Sequence, residues 1–560
     1  MLSRIIFKSG SSPSGPSLEL DLSAVTVFVG PNNSGKSRAL LEVENFATLS
    51  HPGETKLVKS VEFFKWDSDD FKSALSEIET PPGVGEVQHG DHIYISRLKP
   101  QSNVIQRALV HVPTILNEAT GLGAGHSNYH QYLNLFTLRM NGQNRLSLTG
   151  EQSAGDMQSS PANNLAKLFV DNDLLKEIRR IVFDAFGQYL VIDPTKIGVF
   201  RLRLSPRPPV DEREEKGWDE ASRKFHANAI DISEASDGVK AFVGMLSTVI
   251  AGEPKVSLID EPEAFLHPAL CARLGKELSK ALADSNRRLF VSTHSAAFLM
   301  GCVQSGVPIN IVRLTYDYKV STARLLAMEK LSHLMRNPLL RSVGVLNALF
   351  YNAVVVTEAD ADRAFYQEIN ERLLQASDPR GIDGCLFLNA QNKQTIWDIV
   401  RPLRELGIPC VGICDIDIVK EGGSVWQKPM VGAFVPTLSH ASLGVERANL
   451  LKAFNDTGKD FKREGGIKVL PAEQQQACSD FFLRLGMYGI FVVEEGEIEN
   501  WLPDLGVSTS KNAWLTSIFA AMGEDPTDQN YVRPSSGDVW DFIGGIKKWT
   551  SDPKRLGIPS

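Results

Sequence analysis

The sequence predicts an α/β protein of two parallel-sheet domains, and three observations predict it. The apolar run Val25–Val29 leads straight into a Gly-rich turn and a helical pattern starting near Lys36. A second apolar run, Val256–Ile259, ends in the adjacent acids Asp260 and Glu261. Beyond about residue 345, strand-like and helix-like segments alternate. AVVVTE is followed by the amphipathic ADRAFYQEINERLLQ, then by the strands Cys385–Leu388 and Cys410–Cys414. Strands covered on both faces read as continuous Val, Ile and Leu runs, and such strands alternate with helices. A chain of 560 residues exceeds what one hydrophobic core organises. The expected division is 1–345 and 346–560, with an insertion over about 51–200 in the first part.

The remaining elements follow in chain order. Ile5–Phe7 reads as a strand, and SGSSPSGPS as a loop by composition. From about His51 to Pro161 the pattern is mixed and assigns no single element type. Leu165–Phe186 carries apolar residues at helical spacing. SPRPPVDEREEKGWDE is charged and Pro-rich, so an exposed loop is expected. Ala269–Ala283 reads as a helix, Leu289–Val291 as a buried strand, and Pro308–Leu314 as a further strand.

Composition excludes some classes. A hydrophobic share of 42% and a charged share of 22% are ordinary for a globular chain. A net charge of −8 argues against coating nucleic acid with the whole surface, but leaves room for a local basic groove. The six cysteines form no CxxC pair and are expected as buried thiols in a reducing compartment. MLSRIIFKSG is too short an apolar run for a signal peptide, and no run approaches the ~20 residues that span a bilayer. A cytoplasmic protein without membrane contact is expected.

The turn after Val25–Val29 is GPNNSGKS, matching G-x-x-x-x-G-K-[ST] at Gly30, Gly35, Lys36 and Ser37, with Asn32, Asn33 and Ser34 between. Glycines let backbone N–H groups turn toward phosphate oxygens, and the helix N-terminus adds positive potential. Lys36 is expected on the β- and γ-phosphates, and Ser37 on Mg²⁺. Asp260 is expected to hold the Mg²⁺ shell and Glu261 to polarise the attacking water. In LFVSTHSAAF a strand runs into His294, a candidate γ-phosphate contact. An acidic turn capping a helix and a surface histidine are the plainer readings of these last two when each stands alone.

Two more apolar strands end in acids. NAVVVTEADADRAF places Glu358 at a strand end, with Asp360 and Asp362 after it, and IPCVGICDIDIV ends in Asp415 and Asp417. In a parallel sheet both clusters reach the carboxyl edge. Clustered carboxylates repel, and hard divalent cations relieve that repulsion. The plainer reading is two unrelated solvated loops. In VVEEGEIENWLP, Glu497 or Glu499 could add an acid, with Glu499 slightly preferred over its neighbour and a solvated turn as the alternative. Lys547 and Lys548, in FIGGIKKW, read as a solvated helix end or, less readily, as positive charge for a scissile phosphate.

GPNNSGKS, DEPEAFLHP and STHS together resemble the ABC-type ATPases of the RecF, SMC and OLD (overcoming lysogenization defect) group. That group carries a large insertion after the first motif and a signature loop before the acidic strand. ISEASDGVKAF lies where the loop belongs and departs from LSGGQ. The resemblance implies that Ser236 and Gly238 touch the γ-phosphate bound by a second copy, hence a homodimer or higher even oligomer. Gln101 is a weak match to the group's glutamine loop. Glu358, Asp362, Asp415 and Asp417 match the motif positions of the TOPRIM domain, with Ala359 standing where many members have Gly. An ABC-type P-loop ATPase domain with a helical insertion, followed by a smaller α/β TOPRIM domain, resembles the OLD-family nucleases, including the Gabija-type anti-phage nuclease. The resemblance implies ATP and Mg²⁺, with Mn²⁺ an option in the TOPRIM site. It also implies DNA as substrate, Glu358 as a catalytic acid and metal ligand, Glu499 as a further ligand, and a second defence-system protein as a candidate partner. Two other readings remain open: an ATP-driven sensor or scaffold whose TOPRIM domain cuts nothing, and a RecF-like repair ATPase.

Overall fold

Val25–Val29 (β1) is buried at every position, as expected for an interior strand. It belongs to a sheet with Thr137–Met140 (β2), Val256–Asp260 (β3), Arg288–Ser292 (β4), Ile309–Asp317 (β5) and Val320–Leu325 (β6). The strand order is β6-β5-β1-β4-β3-β2, parallel except for the edge hairpin β5–β6. The computed structural model describes residues 1–560 apart from 13–14, 100–103, 124, 159–160, 162, 284, 318–319, 337, 339–343, 508–510 and 560. The described chain divides into two compact units, Met1–Met328 and Glu329–Ser560.

Register fixes where the motifs emerge. Asp260 pairs with Ser292, and Val29 with Arg313, so the carboxyl ends of β1, β3, β4 and β5 lie along one edge. Lys36–Thr48 (α1) leaves that edge from the turn after β1, and Asp237–Ala251 (α2) leads back toward β3. Residues 51–200 hold both helices and strands. His92–Lys99 and Val104–His111 form an antiparallel pair, and β2 joins the central sheet as an edge strand beside β3.

Two segments differ from the sequence expectation. Leu165–Phe186 is two helices, Asn164–Val170 and Asn172–Phe186, because the Asp171 carboxylate accepts from Leu174 N at 3.0 Å and starts the second one. Within SPRPPVDEREEKGWDE, Glu212–Lys216 is helical, and Glu215 is buried against Arg179 at 2.6 Å. An ion pair invisible to composition docks the middle of that stretch. All six cysteines are free, five of them buried. Among the described residues no helix is long and apolar enough to cross a membrane.

The second unit is built on a parallel sheet of Ala353–Thr357 (β7), Cys385–Asn389 (β8), Cys410–Asp415 (β9) and Ile490–Val493 (β10), ordered β8-β7-β9-β10. Helices cover both faces. Val355, Val411 and Ile413 pack with Phe365, Tyr366 and Ile369 of Asp360–Gln375 (α3) and with Trp540 and Ile543 of Asp538–Ser551. On the other face, a Cβ on Gly412 would lie 2.8 Å from Ile396 and 2.9 Å from Trp397, so Ile396–Glu405 (α4) rests directly on the β9 backbone.

Candidate ATP and acidic-cluster sites

Gly30 has φ +146°, and a Cβ there would lie 2.1 Å from the Leu314 carbonyl oxygen. Only glycine lets the turn after β1 pass this close to β5. Asn33 takes φ +60°, Gly35 takes φ +92°, and Asn32, Asn33 and Ser37 stand exposed at the turn. Lys36 is buried, its Nζ donating to the carbonyls of Gly30 at 2.9 Å and Pro31 at 2.8 Å. Burial pulls its pKa down to about 8, against the opposing pull of Glu261, Glu263 and Asp260. Ser37 Oγ donates to Asp260 Oδ1 at 2.9 Å, and Ser292 Oγ bonds the same oxygen. The Ser34 hydroxyl is buried without a hydrogen-bond partner. A glycine-bearing turn at a helix N-terminus, an unused hydroxyl and two hard oxygens side by side fit a nucleotide with Mg²⁺.

Glu261 sits in the left-handed region at φ +52°, with its carboxylate half exposed and 3.8 Å from His294 Nε2. The structure brings in two groups that sequence reasoning missed. Glu263 accepts from Thr293 Oγ1 at 2.9 Å and from His294 N at 2.5 Å, tying the turn after β3 to the turn after β4. Arg145, fully buried, donates to the carbonyls of Asp260 at 2.6 Å, Glu261 at 2.7 Å and Asn141 at 2.9 Å. It comes from the insertion, on the segment that follows β2. The same segment carries Gln143, exposed beside the carboxyl edge of the sheet. Gln101 lies outside the described residues. Ser236 is the exposed N-cap of α2, and Gly238 follows it where a Cβ would press to 2.7 Å on the Phe265 carbonyl.

In the second unit, Glu358 leaves β7 and Asp415 ends β9, on neighbouring parallel strands, with Asp417 two residues on. Ala359 has φ −128°, so this position does not require glycine. Burial first, then Asp415, push Glu358 up to about 7. Asp362 is pushed up to about 7 by burial, Asp415, Glu358 and Glu499, although its Oδ2 accepts from Ala359 N at 2.9 Å. Asp415 is raised by burial, with Asp417 and Glu497 adding to the shift. Both Glu497 and Glu499 therefore act on the cluster, each on a different aspartate.

Two lysines meet these acids, and neither was singled out by sequence. Lys462 Nζ lies 2.6 Å from Asp415 Oδ2 and 3.3 Å from Asp417 Oδ2. Lys393 Nζ lies 3.5 Å from Asp417 and bonds Glu421. The alternative role for Lys547 is corrected. Its charge lies near the Cys385 thiol, at the first residue of β8 and hence the amino edge of the sheet, while Lys548 is exposed. Among the described residues no three His, Cys, Asp or Glu side chains enclose an ion-sized space. The donors nonetheless fit a divalent ion. They are hard carboxylate oxygens, and Glu358 Oε2 is buried with no hydrogen-bond partner.

Residues 87–300 match the family described as AAA domain, putative AbiEii toxin, Type IV TA system, and residues 349–417 match the overcoming lysogenization defect protein-like TOPRIM domain. The first range holds Asp260, Glu261 and His294 but not the turn at 30–37; the second holds Glu358, Asp362, Asp415 and Asp417. No curated protein matches the chain. Similar solved structures include an Smc head bound to the C-terminal winged-helix domain of ScpA, at 12% identity and TM-score 0.33, covering 59% of this chain and 99% of that one. Another is the SMC head domain from Thermotoga maritima, at 13% identity and TM-score 0.28, covering 58% of this chain and 99% of that one. An AAA-type ATPase domain followed by an overcoming lysogenization defect-like TOPRIM domain is the domain order of the OLD-family ATPase–TOPRIM proteins, which the chain matches.

Proposed function

We propose that the protein is a divalent-metal-dependent DNA endonuclease regulated by ATP and acting in anti-phage defence. One observation carries the nuclease reading: Glu358, Asp362, Asp415 and Asp417 converge at the carboxyl edge of a buried parallel sheet, and Glu358 keeps a buried oxygen without a partner. Glu358, Asp415 and Asp417 would hold Mg²⁺ or Mn²⁺, which when bound supplies positive charge to a scissile phosphate and acidifies water. Asp362 holds the start of α3 through the Ala359 N–H, and Glu497 and Glu499 deepen the negative field. The test is incubation of supercoiled plasmid with the protein and Mg²⁺ or Mn²⁺, with and without ATP. Nicked or linear product supports the reading; intact plasmid in every arm refutes it.

A second reading has an observation of its own. Lys393 and Lys462 already balance Asp415, Asp417 and Glu421. This suits a sensor or scaffold whose TOPRIM domain cuts nothing. Phage plating on cells carrying the parent or Asp415→Ala separates the two, since a scaffold protects equally well with either.

In the first unit, Lys36 would hold the β- and γ-phosphates, Ser37 and Asp260 the Mg²⁺, and Glu261 would take the proton of the attacking water. Lys36→Ala is expected to weaken ATP binding by about a hundredfold, and Glu261→Gln to keep binding but lose hydrolysis, because an amide is a poor proton acceptor. Fluorescent-nucleotide titration and phosphate release check both. Hydrolysis by Glu261→Gln at the parent rate would show that another group is the base.

Arg145 acts through Glu261 rather than on ATP. Holding a non-glycine residue at φ +52° costs on the order of 1 kcal/mol, and the two N–H bonds from Arg145 offset it. Arg145→Gln should lower kcat for ATP about tenfold with KM little changed, since a misaimed Glu261 slows chemistry without loosening nucleotide. A rise in KM alone would contradict this.

Ser236 and Gly238, at the exposed start of α2, would complete the ATP site of a second copy in a homodimer or higher even oligomer. Glu261→Gln with ATP should therefore sediment as a dimer or larger. A species of only 61.6 kDa would exclude the shared site.

A further inference from the structure

Lys462 is not a flexible lysine that happens to lie near an acid. Its neighbour Phe461 is buried and stacks on Phe454 with ring centroids 4.3 Å apart. The Lys462 carbonyl accepts from Asn500 Nδ2 at 3.2 Å, and the same amide donates to the Glu495 carbonyl at 2.6 Å. Gly496, at φ +114°, packs so closely that a Cβ would lie 2.1 Å from the Lys462 carbonyl oxygen. The loop bearing Lys462 is thus fastened to the turn that bears Glu497 and Glu499. From this anchored backbone the ammonium reaches between Asp415 and Asp417, and the side chain is only 18% exposed.

We propose that Lys462 is a built-in counter-cation, which competes with a divalent ion for Asp415 and Asp417 and must leave them for the site to load. The inference rests on the metal reading of this cluster. A divalent ion needs the lone pairs that the ammonium uses, and an adjacent positive charge opposes its approach. Lys393 has a partner of its own in Glu421, stands 34% exposed and lies farther from the aspartates, so Lys462 carries most of the competition. The device sets a threshold. The site fills only above a metal concentration fixed by how firmly Lys462 is held, and anything that shifts the 495–500 turn changes that threshold.

Two measurements test this on the full chain with Mn²⁺ as the probe. Calorimetric titration should show Lys462→Met binding Mn²⁺ about tenfold more tightly than the parent, while Lys452→Met, at an exposed lysine of the helix Thr437–Asp456, leaves affinity unchanged. In the parent protein, acetylation of Lys462 by an amine-directed reagent, read by mass spectrometry, should rise when Mn²⁺ is added. The second measurement needs no variant and so does not depend on Lys462→Met folding. Equal Mn²⁺ affinity in parent and Lys462→Met, or Lys462 acetylation unmoved by Mn²⁺ that binds, overturns the proposal and leaves the metal reading standing. If Mn²⁺ binds neither protein, both fall together.

Discussion

Asp415→Ala is expected to abolish metal-dependent plasmid cleavage, a loss of about a hundredfold or more, while ATP hydrolysis continues. Asp415 ends the interior strand β9, is 15% exposed and faces Glu358, Asp417 and Lys462. Removing it takes away a ligand and also releases Lys462 from its shorter ion pair. A divalent ion held by the remaining carboxylates would be displaced from the reacting phosphate, and in-line attack tolerates little displacement. Asp260 and Glu261, the residues proposed for ATP hydrolysis, emerge from a different sheet in a different unit. Asp415→Asn keeps the side-chain shape and should show the same loss. The assay runs parent and both variants on supercoiled DNA with Mg²⁺ and with Mn²⁺. Equal cutting by all three would place the active site elsewhere.

The second large effect concerns stability. Arg404→Met should destabilise the second unit by about 3 kcal/mol or more, from stranded acceptors that each cost about 1–3 kcal/mol. Arg404 is fully buried, and no carboxylate lies within ion-pair reach of it among the described residues. Its guanidinium donates instead to the carbonyls of Cys410 at 2.7 Å, Tyr488 at 2.8 Å, Ala433 and Gly557 at 3.0 Å, and Gly489 at 3.3 Å. Burial lowers its pKa only to about 10, so it stays charged at neutral pH, and the carbonyl dipoles, with the Trp549 ring 4.8 Å away, compensate the charge. Met fills similar length and leaves those oxygens without their donor. Urea unfolding of parent and variant, followed by far-UV circular dichroism, measures the shift. A midpoint shift worth under about 1 kcal/mol would mean that water or backbone movement replaces the donor.

Sequence showed the strands and their acidic ends because interior parallel strands have no polar face to blur the pattern. Val25–Val29, Val256–Asp260, Ala353–Thr357 and Cys410–Asp415 are such runs, and each delivers its motif to one edge. The cations that meet those motifs follow no local pattern. Lys462 stands 45 residues beyond Asp417 and Arg145 stands 115 before Asp260, and only tertiary folding makes them neighbours. Lys547, adjacent to a second lysine in an apolar helix, shows the same limit: sequence gives a charge but not which end of the sheet it reaches. The break at Asp171 was hidden by helical periodicity that continues through the cap.

One feature of the first unit reaches further than its size suggests. β2 belongs to the insertion in sequence and to the ATPase sheet in space, and the segment after it carries Arg145, whose two N–H bonds grip the backbone of Asp260 and Glu261. Residues 51–136 are therefore joined to the turn of Asp260 and Glu261 by a paired strand, the short 141–143 turn and two hydrogen bonds. On the ATPase reading proposed above, a displacement of the insertion would reach Glu261 before it reached the phosphate-binding turn, and would register in turnover rather than in nucleotide affinity.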